Sequence, residues 1–177
     1  MVRYISLLLF IGLAWGQKEY NINHIIEQDS IYKKKFSDEI VNGNIYQMTD
    51  DMKIPLGKMK NGKKDGLWTE WYPNKRKLEE TYRHGMLDGS VSLYYKTGQK
   101  EWRHTYNNGQ FEGLWTYWYE NGQKMREGNF MCGDSTGKWI WWDKNGRVEK
   151  EKKYKNRKNS IWANYNEYVL IETVTEP

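Results

Sequence analysis

One segment of about 24 residues recurs four times in this chain of 177 residues, and the repetition limits the possible folds more than any other feature. The copies begin at Gly66, Gly89, Gly113 and Gly137, so the leading glycines are 23, 24 and 24 residues apart. A fixed period of this length indicates one small supersecondary unit that is stacked on copies of itself. The chain is therefore expected to present a long surface and not a deep pocket.

The pattern inside each copy predicts a β-hairpin. Apolar residues alternate in the first strand, which places Trp68 on one face and Trp71 on the other. A two-residue turn is expected next, because Asn-Gly between apolar strands favours positive φ at both positions. These turns are Thr97-Gly98, Asn121-Gly122 and Asn145-Gly146. The first copy has Asn74-Lys75 there and is one residue shorter, so a tighter or irregular hairpin is expected.

A return strand and a Gly-rich connection complete each copy. The return strands end on aromatic residues, namely Tyr82, Tyr106, Phe130 and Tyr154. No helical period of 3.6 residues occurs between residues 54 and 160. The predicted fold is therefore all-β: an elongated single-layer antiparallel sheet of tandem β-hairpin repeats. The glycines interpreted as turn residues are Gly66, Gly89, Gly98, Gly113, Gly122, Gly137 and Gly146.

The repeats divide the chain into segments. We expect an array over residues 42–160, with one degenerate copy followed by four clear ones: 42–65, 66–88, 89–112, 113–136 and 137–160. Residues 17–41 show no clear period and form a lead-in, with a short strand expected at Ile31-Tyr32. Residues 161–177 are expected to form one or two capping strands and a tail, since terminal copies face water on one edge.

Residues 1–16 have the features of a cleaved secretory signal. Arg3 supplies a positive start, residues 5–15 form an apolar run, and small residues precede a cleavage site near Gly16. The run is too short to span a bilayer, which needs about 20 apolar residues. We therefore predict an exported protein, periplasmic or extracellular, and the alternative is a buried N-terminal strand or helix. Cys132 is the only cysteine, so no intrachain disulfide can form.

The repeated motif resembles the MORN repeat in its bacterial variant form. The resemblance rests on Gly-x-Trp-x-x-Trp-Tyr-x-Asn-Gly followed by Tyr-x-x-Gly-x-x-x-Gly, and the segment from Gly113 to Gly137 is the best single match. Bacterial proteins of this kind are often described as YwqK-type antitoxins, which implies that they bind and silence a toxin. Eukaryotic MORN arrays are similar in their repeats, and this resemblance implies protein scaffolding or contact with phospholipid headgroups.

Nothing in the sequence indicates catalysis. His24, His84 and His104 lack metal-ligand spacing, and a lone cysteine cannot build a thiolate zinc site. His84 and His104 are expected to be solvated surface residues. No nucleophile lies in a strand-turn-helix context, and no glycine-rich loop precedes a helix. We therefore expect no enzyme, no metal and no cofactor.

Two sets of aromatic residues recur at fixed positions in the copies. One set is Trp71, Tyr94, Trp118 and Trp142, and the other is Trp68, Trp115 and Trp139, with Val91 in the second copy. Alternation along a strand puts the two sets on opposite faces of the sheet. One set is expected to form the stacking core, although the sequence does not show which. A thin sheet leaves some rings accessible, and exposed Trp and Tyr suit sugar rings, peptides or a protein partner.

A basic run lies near the end of the array. Its members are Lys150, Lys152, Lys153, Lys155, Arg157 and Lys158. A charged edge that discourages strand addition is one interpretation. The other is a patch for an anionic partner such as a phospholipid headgroup, an acidic glycan or an acidic protein.

These features favour a non-enzymatic binding or scaffold module in the cell envelope or outside the cell. Its partner is expected to be a protein, with a glycan or an anionic lipid headgroup as the other possibilities. An antitoxin or immunity-type protein is the first alternative, and association with an anionic membrane surface through the basic end is the second. Nucleic acid is not expected because export separates the chain from it. The sequence does not set the oligomeric state.

Overall fold

The computed structural model describes residues 18–50 and 52–155. The predicted signal at 1–16, Asp51 and the predicted capping strands at 161–177 lie outside the described residues. The strands within them are β1 (Glu19–Asn21), β2 (Ile25–Gln28), β3 (Ile31–Lys34), β4 (Gly43–Thr49), β5 (Met52–Lys60), β6 (Lys63–Trp71), β7 (Lys77–Arg83), β8 (Met86–Tyr94), β9 (Lys100–Asn107), β10 (Gln110–Phe111), β11 (Gly113–Trp118), β12 (Lys124–Met131), β13 (Asp134–Trp142) and β14 (Val148–Tyr154). One 3-10 helix spans Ile22–His24.

One long open sheet contains all but two of these strands. Its order is β1-β4-β5-β6-β7-β8-β9-β11-β12-β13-β14, and the short β10 pairs with β9. Strands adjacent in the chain pair antiparallel, whereas β1 lies parallel to β4. β2 and β3 form a separate hairpin. The predicted all-β fold, an elongated antiparallel sheet of successive hairpins, is confirmed.

The hairpin turns inside the copies have a three-residue loop, not the predicted two-residue loop. Tyr119 N–H donates to the Gln123 carbonyl at 2.9 Å, and Gly122 N–H donates to the Tyr119 carbonyl at 2.9 Å. In this loop Gly122 alone has positive φ, at +86°. Such a loop is a type I turn followed by one left-handed residue, so glycine is favoured at its last position only. The same hydrogen bonds recur at Gly98 and Gly146.

The first copy uses the same turn, so the predicted irregular hairpin is wrong. Tyr72 N–H donates to the Arg76 carbonyl at 3.0 Å, and Lys75 takes the left-handed position with φ +64°. The missing residue lies instead in the return strand. Later copies carry one extra residue there, as a β-bulge; Glu101 is the example, between the paired positions Lys100 and Trp102. The first copy lacks this bulge.

The turns with positive φ at both positions connect one copy to the next. They are Asn61-Gly62, His84-Gly85, Asn108-Gly109 and Cys132-Gly133. Four glycines interpreted from the sequence as turn residues lie within strands instead. These are Gly66, Gly89, Gly113 and Gly137, and the pairing register shifts beside Gly89 and Gly137. Positive φ at all four sites explains the preference for glycine there.

A small hydrophobic core lies at the N-terminal end of the sheet. It consists of the buried residues Ile25, Val41, Ile45, Met59 and Trp68. The partly buried Tyr20, Ile22, Tyr32, Leu56 and Tyr82 pack against it. The lead-in therefore covers one face of the first hairpins. The same face of the sheet extends past the lead-in, along the later copies.

Size complementarity between neighbouring strands holds the array together. We call Trp68, Val91, Trp115 and Trp139 the tryptophan position, and Gly57, Glu80, His104 and Gly128 the facing position on the preceding strand. A Cβ at Gly57 would lie 2.6 Å from the Trp68 ring, and one at Gly128 would lie 2.0 Å from the Trp139 ring. Trp68 and Trp139 thus lie over glycine, and Trp115 stacks on His104. Where the preceding strand has Glu80, the indole is replaced by Val91.

Replacing Gly128 by alanine is expected to destabilise the array by about 1–3 kcal/mol, because the added methyl forces Trp139 out of place. Urea unfolding followed by tryptophan fluorescence measures the loss. Asn129→Ala on the exposed neighbouring residue is the control and is expected to change stability by less than about 0.5 kcal/mol.

A double variant tests the same contact. Trp139→Val combined with Gly128→Ala is expected to cost less than the sum of the single substitutions, because valine leaves room for the methyl group. Strict additivity would show that the two positions do not share this space.

Candidate functional site

The two aromatic sets lie on opposite faces of the sheet. Trp68 faces Glu80 across β6 and β7, whereas Trp71 faces Lys77. We call the side that carries the tryptophan position the aromatic face, and the opposite side the stripe face. Trp68 and Trp139 are 5% exposed, while Trp71 on the stripe face is 53% exposed. The set that contains Trp68, Trp115 and Trp139 therefore supplies the packing that the sequence could not assign.

A row of alternating aromatic and lysine side chains runs along the stripe face. We call it the Lys–aromatic stripe: Trp71, Lys77, Tyr94, Lys100, Trp118, Lys124 and Trp142. Lys77 Nζ lies 4.2 Å from the Tyr94 ring centroid, and Lys100 Nζ lies 5.7 Å from Tyr94 and 5.8 Å from Trp118. These distances are within the range of cation–π attraction. Lys77 and Lys100 therefore each lie near rings of two neighbouring strands, and Lys124 lies 5.7 Å from the Trp142 ring.

Two glutamates fix the stripe from the side. Glu79 accepts hydrogen bonds from Lys77 Nζ and from Tyr94 OH, both at 2.7 Å. Glu127 pairs with Lys124 at 2.6 Å and accepts from the buried Thr116 hydroxyl at 3.1 Å. Partial burial opposes the charge of Glu79, but its two donors outweigh that effect and lower the pKa of its carboxyl. Burial, followed by the bond to Glu79, raises the pKa of Tyr94 to about 12.

Tyrosines beside the stripe tie the second copy to the third and the third to the fourth. Tyr95 OH donates to the Trp118 carbonyl at 2.9 Å, and Tyr119 OH donates to the Trp142 carbonyl at 2.9 Å. Both bonds join residues that are 23 positions apart, which is about one repeat. The spacing of the stripe is therefore set by direct bonds between copies as well as by the strand ladder.

On the aromatic face three rings form a continuous stack. The His104 imidazole lies between Trp102 and Trp115, with centroid distances of 4.2 and 3.7 Å and interplanar angles of 12° and 14°. Phe111 and Phe130 pack on Trp115 at 4.4 and 4.3 Å. Ring packing on this face therefore runs from β9 across β11 to β12.

The expectation that His104 is solvated is wrong, whereas His84 is exposed as expected. His104 is 8% exposed, and its Nε2 atom is buried without a hydrogen-bond partner. Burial, followed by the nearby charge of Arg126, lowers the pKa of His104 from 6.5 to about 4. The imidazole is therefore neutral at pH 7 and acts as a flat packing group. A signal was present in the sequence, since His104 lies two residues after Trp102 on the same face.

The basic run is divided between the faces, because side chains alternate along a strand. Lys150 and Lys152 lie opposite Trp141 and Trp139 on the aromatic face, and Lys150 Nζ is 5.6 Å from the Trp141 ring. Lys153 lies on the stripe face, and Lys155 follows the end of β14. Arg157 and Lys158 lie outside the described residues. Only part of the predicted anionic-partner patch is therefore brought together on one face.

Two other features, a metal site and a membrane-spanning helix, are absent from the described part of the chain. Among residues 18–50 and 52–155 no group of three or more His, Cys, Asp or Glu side chains could hold a metal ion. In the same ranges no helix is long and apolar enough to cross a membrane. The stripe lysines were missed in the sequence, although Lys100 and Lys124 stand two residues after the glycines of the hairpin turns.

Comparison with known families matches residues 111–131 and 135–156 to the family described as MORN repeat variant. These two segments contain the β11–β12 hairpin and the β13–β14 hairpin. The match supports a MORN-repeat protein. MORN repeats are generally non-catalytic modules that mediate binding or membrane association. No curated protein matches the chain by sequence.

The burial of His104 predicts a pH-dependent stability. Folding disfavours the protonated imidazole, so the unfolded chain binds more protons between pH 6.5 and about 4. Stability is therefore expected to fall as the pH falls through this window, by up to about 3 kcal/mol from this group. Urea unfolding at pH values from 7 to 4.5 measures the slope.

The variant His104→Gln removes the titrating group and is expected to have a flatter slope than the unaltered chain. His84→Gln, which changes an exposed histidine, is the matched control and is expected to keep the original slope. Equal slopes for the unaltered chain and His104→Gln would contradict the burial of a neutral imidazole.

Proposed function

We propose that this chain is a non-enzymatic binding module that uses the Lys–aromatic stripe to hold a protein partner with acidic and apolar surface groups. The observation that carries the proposal is the alternation of three lysines with four aromatic rings on the stripe face. Aromatic rings supply contact area at low entropic cost, and flanking charges steer and orient a partner. The net charge of +5 favours the same class of partner.

The stripe is suited to binding because its members are already in place. Lys77 is held by Glu79, Lys124 is held by Glu127, and both lysines also lie near aromatic rings. A partner therefore meets side chains whose freedom is already reduced, which lowers the entropic cost of association. Lys100, between Tyr94 and Trp118, lies at the centre of the row. A glycan is the second candidate, because exposed rings such as Trp71 also suit the faces of sugars.

The antitoxin interpretation is a special case of this proposal. It requires that the partner be a toxin, and the MORN repeat variant match supports binding in general without selecting that partner. If the antitoxin interpretation is correct, a protein retained by the stripe inhibits growth when it is produced alone, and growth returns when the two proteins are produced together.

Export and membrane association remain separate proposals. The proposal of export rests on residues 1–16, and N-terminal sequencing of the protein recovered from its host tests it by finding Gln17 first. The proposal of membrane association rests on Lys150, Lys152 and Lys153 at the last strand. It predicts binding to vesicles of anionic phospholipid that weakens as salt is raised, and binding that is independent of salt would contradict it.

Substitution of the three stripe lysines tests the main proposal. The variant Lys77→Gln, Lys100→Gln, Lys124→Gln is expected to keep the fold and to lose at least tenfold in affinity for proteins retained by the unaltered chain. Retention from the host extract is quantified by mass spectrometry, and affinity is then measured with each purified partner at two salt concentrations. The loss is expected to be larger at low salt.

The control changes the same number of charges elsewhere. Lys58, Lys96 and Lys144 are exposed and lie outside the stripe, so replacing them by Gln is expected to leave retention unchanged. If both triple variants retain the same proteins with the same affinity as the unaltered chain, the stripe does not bind them and the proposal is wrong.

A further inference from the structure

The aromatic face is open at the second copy. Val91 occupies the tryptophan position there, and Leu93 stands where the next two copies have Tyr117 and Trp141. Leu78 likewise stands where they have Trp102 and Arg126. An open groove of about 350 Å³ lies at this point. Its lining includes Arg76, Leu78, Glu80, Leu87, Val91 and Leu93. The other copies show that the same position in this fold accepts an indole ring.

The groove wall also contains an ion pair. Arg76 Nη2 pairs with Glu101, so the guanidinium charge is balanced within the wall. The groove therefore combines an apolar floor with a wall whose one arginine already has a counter-charge.

Elsewhere the same chain presents an aromatic ring with no packing of its own. Phe36 is 106% exposed, and its backbone has φ +59°, a conformation that a bulky residue rarely adopts. It lies in the turn after β3, next to the exposed Lys34 and Lys35. Strained residues without local compensation are often found where a segment makes contact with another molecule. The groove lining does not include Phe36.

The charges around the two features are complementary. Lys33, Lys34 and Lys35 precede the Phe36 ring, and Asp38 offsets one of them through Lys33 at 3.7 Å. At the groove, Glu70 is exposed beside Leu78, and Glu80 lies in the wall with Lys64 at 4.0 Å as its partial counter-charge. The basic turn therefore matches the more acidic side of the groove.

We propose that the groove of one molecule binds the Phe36 turn of a second copy. The phenyl ring enters the space that an indole fills in the other copies, and Lys34 and Lys35 approach Glu70 and Glu80. The turn and the groove are different surfaces, so the contact is heterologous, and a pair keeps one free turn on one molecule and one free groove on the other. The chain is thus expected to form concentration-dependent head-to-tail oligomers.

This association is independent of the proposed partner site, which lies on the stripe face. Sedimentation equilibrium of the purified full chain at about 0.05–1 mM tests it, since small transient contacts have Kd values in the micromolar to millimolar range. The unaltered chain is expected to show dimers and larger species that increase with concentration. Phe36→Ala and Val91→Trp are each expected to weaken association at least tenfold, the first by removing the ring and the second by filling the groove.

A mixture of the two variants gives the sharpest result. Phe36→Ala keeps an open groove and Val91→Trp keeps the Phe36 turn, so the mixture is expected to form a one-to-one pair and no larger species. Leu87→Lys blocks the groove without changing the tryptophan position and serves if Val91→Trp does not fold, as judged by circular dichroism. The stripe variant Lys77→Gln, Lys100→Gln, Lys124→Gln is the control and is expected to associate like the unaltered chain.

Three outcomes would overturn the proposal. The unaltered chain would remain a monomer up to about 1 mM. Association would persist in Phe36→Ala, which would show that another surface is responsible. Association would be lost in Phe36→Ala but kept in both groove variants, which would place the Phe36 ring on a different surface of the second copy.

Discussion

The packing of one large ring on one small residue of the preceding strand is the interaction on which this array depends. A single-layer sheet has no second layer to fill its core, so apolar contact must come from rings that lie flat along the sheet. Trp139 covers Gly128 and Trp68 covers Gly57 at distances that exclude a Cβ. Where the facing residue is His104, its ring is flat and stacks on Trp115 at 3.7 Å. The facing residue is therefore glycine under two of the indoles and a flat imidazole under the third.

Much of the architecture followed from the sequence because it depends on period and alternation. The period of 24 residues predicted successive hairpins, and alternation placed Trp68 and Trp71 on opposite faces. The lengths of the turn loops were harder to predict, because Asn-Gly occurs in both two-residue and three-residue loops. The hydrogen bond that closes the loop distinguishes the two kinds. The bulge at Glu101 leaves the turn unchanged, so the one-residue deletion in the first copy was assigned to the wrong place.

The candidate site was predicted only in part, for a different physical reason. The aromatic members of the stripe repeat and were visible, but the role of the lysines depends on which neighbouring strand they face. Lys77 pairs with Trp71 on one side and approaches Tyr94 on the other, which is a property of register and not of the local sequence. The burial of His104 likewise depends on Trp115, which lies on the next long strand of the sheet. Contacts between side chains of different strands are therefore the part of the structure that a single sequence predicts least well.

The two faces of the sheet use their aromatic residues in different ways. On the aromatic face, rings are packed by rings, and the lead-in residues Ile25 and Val41 complete the core at the N-terminal end. On the stripe face, lysines separate the rings and keep them in contact with water, which limits the continuous apolar area on an open sheet. The effect of a residue that departs from the repeat pattern depends on the face of the sheet where it lies. A changed lysine on the stripe face alters charge, whereas Val91 in place of tryptophan on the aromatic face removes volume that no neighbour replaces. The second copy therefore differs from its neighbours in the property that a binding groove requires, and it does so without interrupting the strand ladder that carries the array.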